Sequence, residues 1–262
     1  MKTDFLGLPT PAIIASLTAG SPDELRALAL RAINDGAHVL EWRLDLMHDI
    51  GGGNTLEASA AVLEEVLKQA SGEDTGKDTG KGLAKPPVIA TLRTTAEGGQ
   101  CGLDSYTELA LRTLRTGCID ALDVEINREQ AQVLIAKAHA AGVAVIASYH
   151  NWSQTPSEEK IVDILERMFL AGTDVAKIAV TPKTPDELDV LARAAKDGAK
   201  LWPQAMIIIG MGSIGQDTRL NPEKYKSVAS FAALPGLSKP AAPGQFFVAD
   251  MARAWNQNTP TA

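Results

Sequence analysis

Cysteine is nearly absent, with only Cys101 and Cys118 in 262 residues, and neither belongs to a CxxC pair or lies beside histidine at metal-ligand spacing. A disulfide framework and a structural zinc are thereby excluded as organising devices, and a reducing cytoplasm suits the chain best. Excess positive charge is also missing. Lys and Arg total 25 against 32 for Asp and Glu, a net charge of -7, so binding to nucleic acid by bulk charge is excluded and an anionic ligand would need arginines gathered locally. No apolar run approaches the roughly 18 residues that a bilayer span requires. The N-terminal stretch is interrupted by Asp4, Pro9 and Pro11 and reads as the lead-in to a strand, not as a secretory segment. Aromatic residues make up only 5%, yet the 45% hydrophobic and 22% charged content is that of an ordinary globular chain, neither disordered nor fibrous.

What is present is an alternation. Short runs rich in Val, Ile and Ala recur, each followed by a longer segment with helical spacing: Ala12 to Leu17, Val39 to Leu46, Pro87 to Arg93, Ile119 to Ile126, Val143 to His150, Val175 to Val180, Ala205 to Met211 and Ser227 to Ala232. Helix starts are marked by Ser21 with Glu24, Ser105 with Glu108, Thr155 with Glu158 and Thr184 with Glu187, with Pro22, Pro156 and Pro185 at first helical positions. Eight strand-helix units in one domain spanning residues 1–262 predict a (β/α)8 TIM barrel of the α/β class, with a doubly wound open sheet as the structural alternative. Residues 71–87, with a tandem DTGK and no apolar period, read as a mobile loop.

Strands covered by helices should be almost wholly apolar on the outside, so polar residues at every second position point into the barrel. In VLEWRLD, Leu40, Trp42 and Leu44 face outward while Glu41, Arg43 and Asp45 face inward. The same parity puts Thr91 and Arg93, then Asp123 and Glu125, then Ser148 and His150, and finally Lys177 on the inside. A single strand charge is usually an edge feature or a misread boundary, and a buried ion-pair network without chemistry is a further alternative. Repetition in five strands, with the polar members late in each, predicts instead that Glu41, Arg43, Arg93, Glu125, His150 and Lys177 converge at the C-terminal end where such barrels place their sites.

Lys177, in DVAKIAV, has apolar neighbours that would desolvate its amine and favour the neutral, nucleophilic form. Such an amine attacks a ketone to give an imine, whose protonated form acidifies the adjacent C–H bond. His150 is the natural acid/base, and Arg43, Arg93 and Arg219 could hold a substrate carboxylate. The four histidines, His38, His48, His139 and His150, show no ligand spacing, so no metal is assigned. GMGSIG (Gly210 to Gly215) matches GxGxxG but follows the seventh strand, which favours an active-site loop over a dinucleotide site.

The blocks EWRLD (Glu41 to Asp45), TLRTTAEGG (Thr91 to Gly99), IDALDVEI, SYHNWSQTP (Ser148 to Pro156), DVAKIAVTP (Asp174 to Pro182), MGSIGQDTR (Met211 to Arg219) and APGQ (Ala242 to Gln245) resemble, in order, those of the type I 3-dehydroquinate dehydratases of the shikimate pathway. The resemblance implies a cofactor-free, cytoplasmic, homodimeric barrel that converts 3-dehydroquinate to 3-dehydroshikimate by syn elimination. It implies Lys177 as the imine-forming residue at the C3 ketone, and His150 as the acid/base acting at C2 and on the departing C1 hydroxyl. Glu97 is implied as the carboxylate paired with His150, a role that strand parity alone would give to Glu125. Substrate contacts are implied for Glu41, Arg43, Arg93, Arg219 and Gln245, with Ser16 and Met211 lining the pocket and residues 236–246 covering it. Ala241 stands where the family often has serine, and the lost hydroxyl contact is expected to raise KM without touching the chemistry. Two other functions fit the residues less well. A class I aldolase or transaldolase would want a phosphate site, and a noncatalytic sensing barrel could discard the lysine and histidine that this chain keeps.

Overall fold

The structure, a computed structural model, describes residues 4–72, 85–236 and 242–258. Eight strands, β1 (Ala12–Leu17), β2 (Val39–Arg43), β3 (Val88–Thr91), β4 (Ala121–Glu125), β5 (Ala144–Asn151), β6 (Val175–Val180), β7 (Ala205–Gly210) and β8 (Ala229–Ala232), pair in parallel in consecutive order, with β8 beside β1. Consecutive order removes the open-sheet alternative, because a doubly wound sheet reverses direction at a switch point. The sheet curls until Met206 bridges Ser227, and there the Ser227 hydroxyl accepts the Ile208 amide at 2.8 Å, standing in for a backbone carbonyl. The result is a nearly closed TIM barrel.

Helices α1 (Pro22–Asn34), α2 (Thr55–Ser71), α3 (Leu103–Thr116), α4 (Ala131–Ala140), α5 (Glu158–Leu170), α6 (Pro185–Leu201), the single turn α7 (Asp217–Leu220) and α8 (Val248–Asn258) connect and cover the strands. In α1, Leu25, Leu28, Ala29 and Ala32 recur at helical spacing and are buried, so this stripe faces the sheet. The expected cap holds there: Ser21 accepts the Glu24 amide, and Glu24 in turn accepts the amide of Gly20. Three other starts differ. α5 is capped by Ser157, not Thr155, and begins at Glu158. α3 begins at Leu103, so Ser105 lies inside its first turn and donates to the Gly102 carbonyl. At α6 the Thr184 side chain makes no cap bond, and Glu187 alone accepts a backbone donor, from Lys183. In α3 and α5 the helix begins at a different residue from the one the spacing marks, so the marked hydroxyl does not stand at the cap position.

The barrel interior is divided. Its lower half is apolar, built from Ile14, Val39, Ile89, Ile146, Val175 and Ile207, with Leu6 and Leu8 of the N-terminal hairpin packed against it. Its upper half is polar, for a reason found in the register. Arg43 pairs with Thr91, Thr91 with Asp123, Asp123 with Ile146 and Ile146 with Val175, so one horizontal path runs from polar to apolar as strands shift along the barrel. Reaching the same height therefore takes progressively later residues, Glu125, Ser148 and Lys177 in turn.

Candidate active site

At the C-terminal mouth of the barrel a cavity of about 520 Å³, its open mouth included, is lined by Ser16, Glu41, Arg43, Arg93, His150, Lys177, Met211, Arg219 and Gln245, together with Thr91, Trp152, Ile209, Phe231 and Ala242. These strand ends therefore meet in one place. Glu125 is the exception to the predicted convergence. It lies behind the wall, fully buried, accepting from the Thr94 hydroxyl at 2.6 Å and from Arg93 at 3.1 Å. Asp45 is likewise not in the strand: β2 stops at Arg43, and Asp45, in the short turn Leu44–Leu46, grips that guanidinium through two bonds of 2.8 Å.

Glu97 reaches the site from the turn after β3. Gly99 donates to the Thr94 carbonyl at 2.8 Å and Cys101 to Arg93 at 3.0 Å, folding the segment back on itself. A Cβ on Gly99 would lie 2.0 Å from the Arg93 carbonyl oxygen, so no other residue fits this approach without opening the turn. The Trp152 indole donates to the Glu97 carbonyl at 2.8 Å and covers Gly98. So held, Glu97 Oε2 accepts the His150 amide at 3.1 Å and lies 2.8 Å from His150 Nδ1. With the ring proton on Nδ1 and donated to that oxygen, Nε2 keeps a free lone pair. Burial pushes Glu97 up to about 8, against the pull of Arg93. Burial also holds His150 well below its ordinary value, reinforced by Arg93, Lys177 and Arg43. Glu97 Oε1 has no hydrogen-bond partner, and it is the oxygen free to carry the proton.

Lys177 is buried, but its setting is more than the apolar sleeve its sequence neighbours suggest. Those neighbours, Ala176 and Ile178, point outward to the helices. Inside, the Lys177 ammonium lies 3.1 Å from Asp123 and 4.2 Å from the centroid of the Phe231 ring. Local sequence missed both partners: strand parity turned Asp123 inward without pairing it, and Phe231 comes from a strand far along the chain.

The arginines divide by counter-charge. Arg43 is matched by Asp45, and Arg93 by Asp123 at 2.8 Å and Glu125 at 3.1 Å. Arg219, almost fully buried, has no carboxylate partner among the described residues. Its Nη1 donates to the Phe231 carbonyl at 3.1 Å, its Nε is unpartnered, and burial lowers it to about 10. An uncompensated buried cation is costly, and an arriving anion would relieve that cost. The turn that presents it is tight: the Thr218 hydroxyl accepts the Gly210 amide, and Gly215 passes so close that its Cβ would lie 2.2 Å from the Gly210 carbonyl carbon. The glycines of GMGSIG thus serve close backbone approach. Glu41 accepts the hydroxyls of Ser16 at 2.6 Å and Thr91 at 3.0 Å. Gln245 and Ala242 complete the rim, while Ala241 and the rest of residues 237–241 lie outside the described residues, as do 73–84 of the expected 71–87 loop. Among the described residues no group of three His, Cys, Asp or Glu side chains is placed to hold a metal, and no helix is long and apolar enough to cross a membrane.

Residues 13–260 match the profile of the type I 3-dehydroquinase family. The chain belongs to that family. The 3-dehydroquinate dehydratase of Klebsiella pneumoniae is 30% identical over 91% of this chain and 90% of that protein, and the one from Lactiplantibacillus plantarum 31% identical over 92% and 89%. The crystal structure of the type I enzyme from Clostridium difficile, with covalently modified comenic acid, superposes with a TM-score of 0.79 at 26% identity, covering 95% of this chain and 92% of that one. The barrel of the Geobacillus kaustophilus dehydratase gives a TM-score of 0.84 at 24% identity over 98% and 96% of the two chains, a likeness of fold. As a type I 3-dehydroquinase the chain is a hydro-lyase of the shikimate pathway, and the aldolase alternative falls away.

Proposed function

We propose that this 3-dehydroquinase removes water from 3-dehydroquinate by syn elimination through an imine on Lys177, with His150 as general acid/base and Glu97 as its partner. The observation that carries the reading is a primary amine and a neutral imidazole on adjacent strands, both lining one cavity that also contains an unpaired guanidinium. The Lys177 nitrogen, having lost a proton, adds to the C3 carbonyl carbon, and the former carbonyl oxygen leaves as water, giving a C=N bond whose nitrogen keeps one proton. His150 Nε2 takes the proton from C2, and the C–H electron pair forms an enamine. That pair then expels the C1 hydroxyl, which leaves with a proton from His150, and the C=N bond is restored. Hydrolysis of the imine releases 3-dehydroshikimate and Lys177. Glu97 holds the ring through its contact with Nδ1 while the imidazolium forms in between.

Arg219 clamps the substrate carboxylate, with Arg43, Arg93, Glu41, Ser16, Met211 and Gln245 forming the rest of the binding surface. Arg43 and Arg93, each neutralised by its own acids, orient the ligand; Arg219 supplies the free positive charge. The same reading carries a cofactor-free homodimer working in the cytoplasm. The covalent compound in the Clostridium difficile relative supports covalent chemistry in this family. The test is borohydride reduction in the presence of 3-dehydroquinate, followed by intact-protein mass spectrometry and peptide mapping. A stable adduct on Lys177 is expected, and Lys177→Ala should give neither adduct nor turnover while keeping its fold; turnover near the wild-type rate would remove the imine.

A further inference from the structure

The mechanism above gives Asp123 no part beyond neutralising Arg93. Asp123 sits on β4 beneath the cavity and is the acid bonded to the Lys177 nitrogen, through Oδ2 at 3.1 Å. Its other oxygen, Oδ1, accepts the Ser148 hydroxyl at 2.6 Å and Arg93 Nη2 at 2.8 Å. Three donors from β5, β6 and the end of β3 thus fix the carboxylate on both oxygens, and Lys177 meets the Phe231 ring from β8 on another side. We propose that Asp123 is the counter-ion of the Lys177 imine, the group that keeps its nitrogen protonated through C–H cleavage. The inference rests on the imine reading of Lys177.

The physical need is plain. Only the protonated imine withdraws electrons strongly enough to acidify C2, and an iminium in a cavity lined by the guanidinium groups of Arg219, Arg43 and Arg93, the last two already matched by acids, would shed its proton more readily if nothing opposed them. Glu97 cannot oppose them, since it is turned to His150, and Glu125 is committed to Thr94 and Arg93. Among the acids of the described residues, only Asp123 is bonded to the nitrogen. It is also a poor proton acceptor: burial would raise it, but Arg93, Lys177 and the Ser148 hydroxyl hold it down at about 2. A carboxylate that stays ionised next to the nitrogen acts as a counter-ion and not as a base. Sharing that charge with Arg93 moderates its pull, so the iminium is held as a cation without being too stable to pass its charge into the enamine.

The experiment follows the imine that 3-dehydroshikimate forms with Lys177, whose conjugated absorbance reports protonation. In the wild type the iminium should persist to about pH 9, and in Asp123→Asn, which keeps the shape and the Ser148 bond, its midpoint should fall by about two units. At pH 9, two units above its midpoint, the variant should lose roughly fiftyfold in kcat relative to wild type, with KM changed by less than about threefold, and cyanoborohydride trapping should slow in proportion to the lost iminium. A midpoint and trapping rate equal to wild type would overturn the proposal, because a merely structural role leaves the nitrogen's titration unmoved. Should the variant not fold, the wild-type titration alone decides: an imine already neutral at about pH 8 leaves no counter-ion role. Absence of any adduct on wild-type Lys177 would instead remove the imine reading itself.

Discussion

At the scale of the residue, Arg219 shows how a binding role can be read from a charge that the protein itself leaves unmatched. Arg43 and Arg93 have their carboxylates, whereas Arg219 is buried with a single carbonyl acceptor and an unpartnered Nε. Exchanging it for an apolar chain of similar reach should therefore move binding and stability in opposite directions. Arg219→Met is expected to raise KM by roughly tenfold to a hundredfold with kcat little changed, the loss of a charge-assisted pair made equally in ground and transition states. The free protein should be as stable as wild type or more so in urea titration, because a buried unpaired charge has gone. Lower stability with unchanged KM would mean that Arg219 is structural. Sequence alone named Arg219 by its block. Its lack of a counter-ion could not be seen there, since that depends on which acids from distant strands fail to reach it.

At the scale of the element, two local devices separate folding from chemistry. Ser157 caps α5 by accepting the Lys160 amide, far from the cavity, so Ser157→Ala should cost about 1 kcal/mol of stability and leave kcat untouched. The turn from Arg93 to Cys101 is the reverse case. Gly99→Ala would drive a Cβ against the Arg93 carbonyl and open the turn that aims Glu97 at His150. Circular dichroism should be unchanged while kcat falls by up to about a hundredfold, the scale of a 1 Å misplacement at a reacting group. All eight strands were legible as apolar runs, and inward parity was right for Glu41, Arg43, Arg93, Ser148, His150 and Lys177. Strand ends were not, as Asp45 shows: alternation continues through a short helical turn as readily as through a strand. Caps were legible at Ser21 and misplaced at Thr155 because α5 starts two residues later than the spacing marks, with Ser157 at its cap.

At the scale of the whole molecule, burying the Glu97–His150 pair links the site to global stability. A carboxyl that titrates near 8 when folded and 4.5 in its ordinary state holds a proton that the unfolded chain has released, so its contribution is present below about 4.5 and lost as pH rises through about 8. His150, held low, has the opposite sign and costs stability as pH falls below 6.5. Urea unfolding followed from pH 5 to pH 9 should therefore show wild type losing stability relative to Glu97→Gln as pH rises, the gap widening up to about 8; parallel curves would mean that the carboxyl is ionised throughout. The repeated strand-helix pattern, the parity of the strands and the ordered blocks were determined by sequence alone, because periodicity and motif are properties of neighbours along the chain. Only the tertiary structure decided that Glu125 stands behind the wall, that Asp123 meets Lys177, and that Arg219 meets no carboxylate among the described residues. The stagger of a closed barrel brings different heights of successive strands to one level, and no single strand encodes that offset.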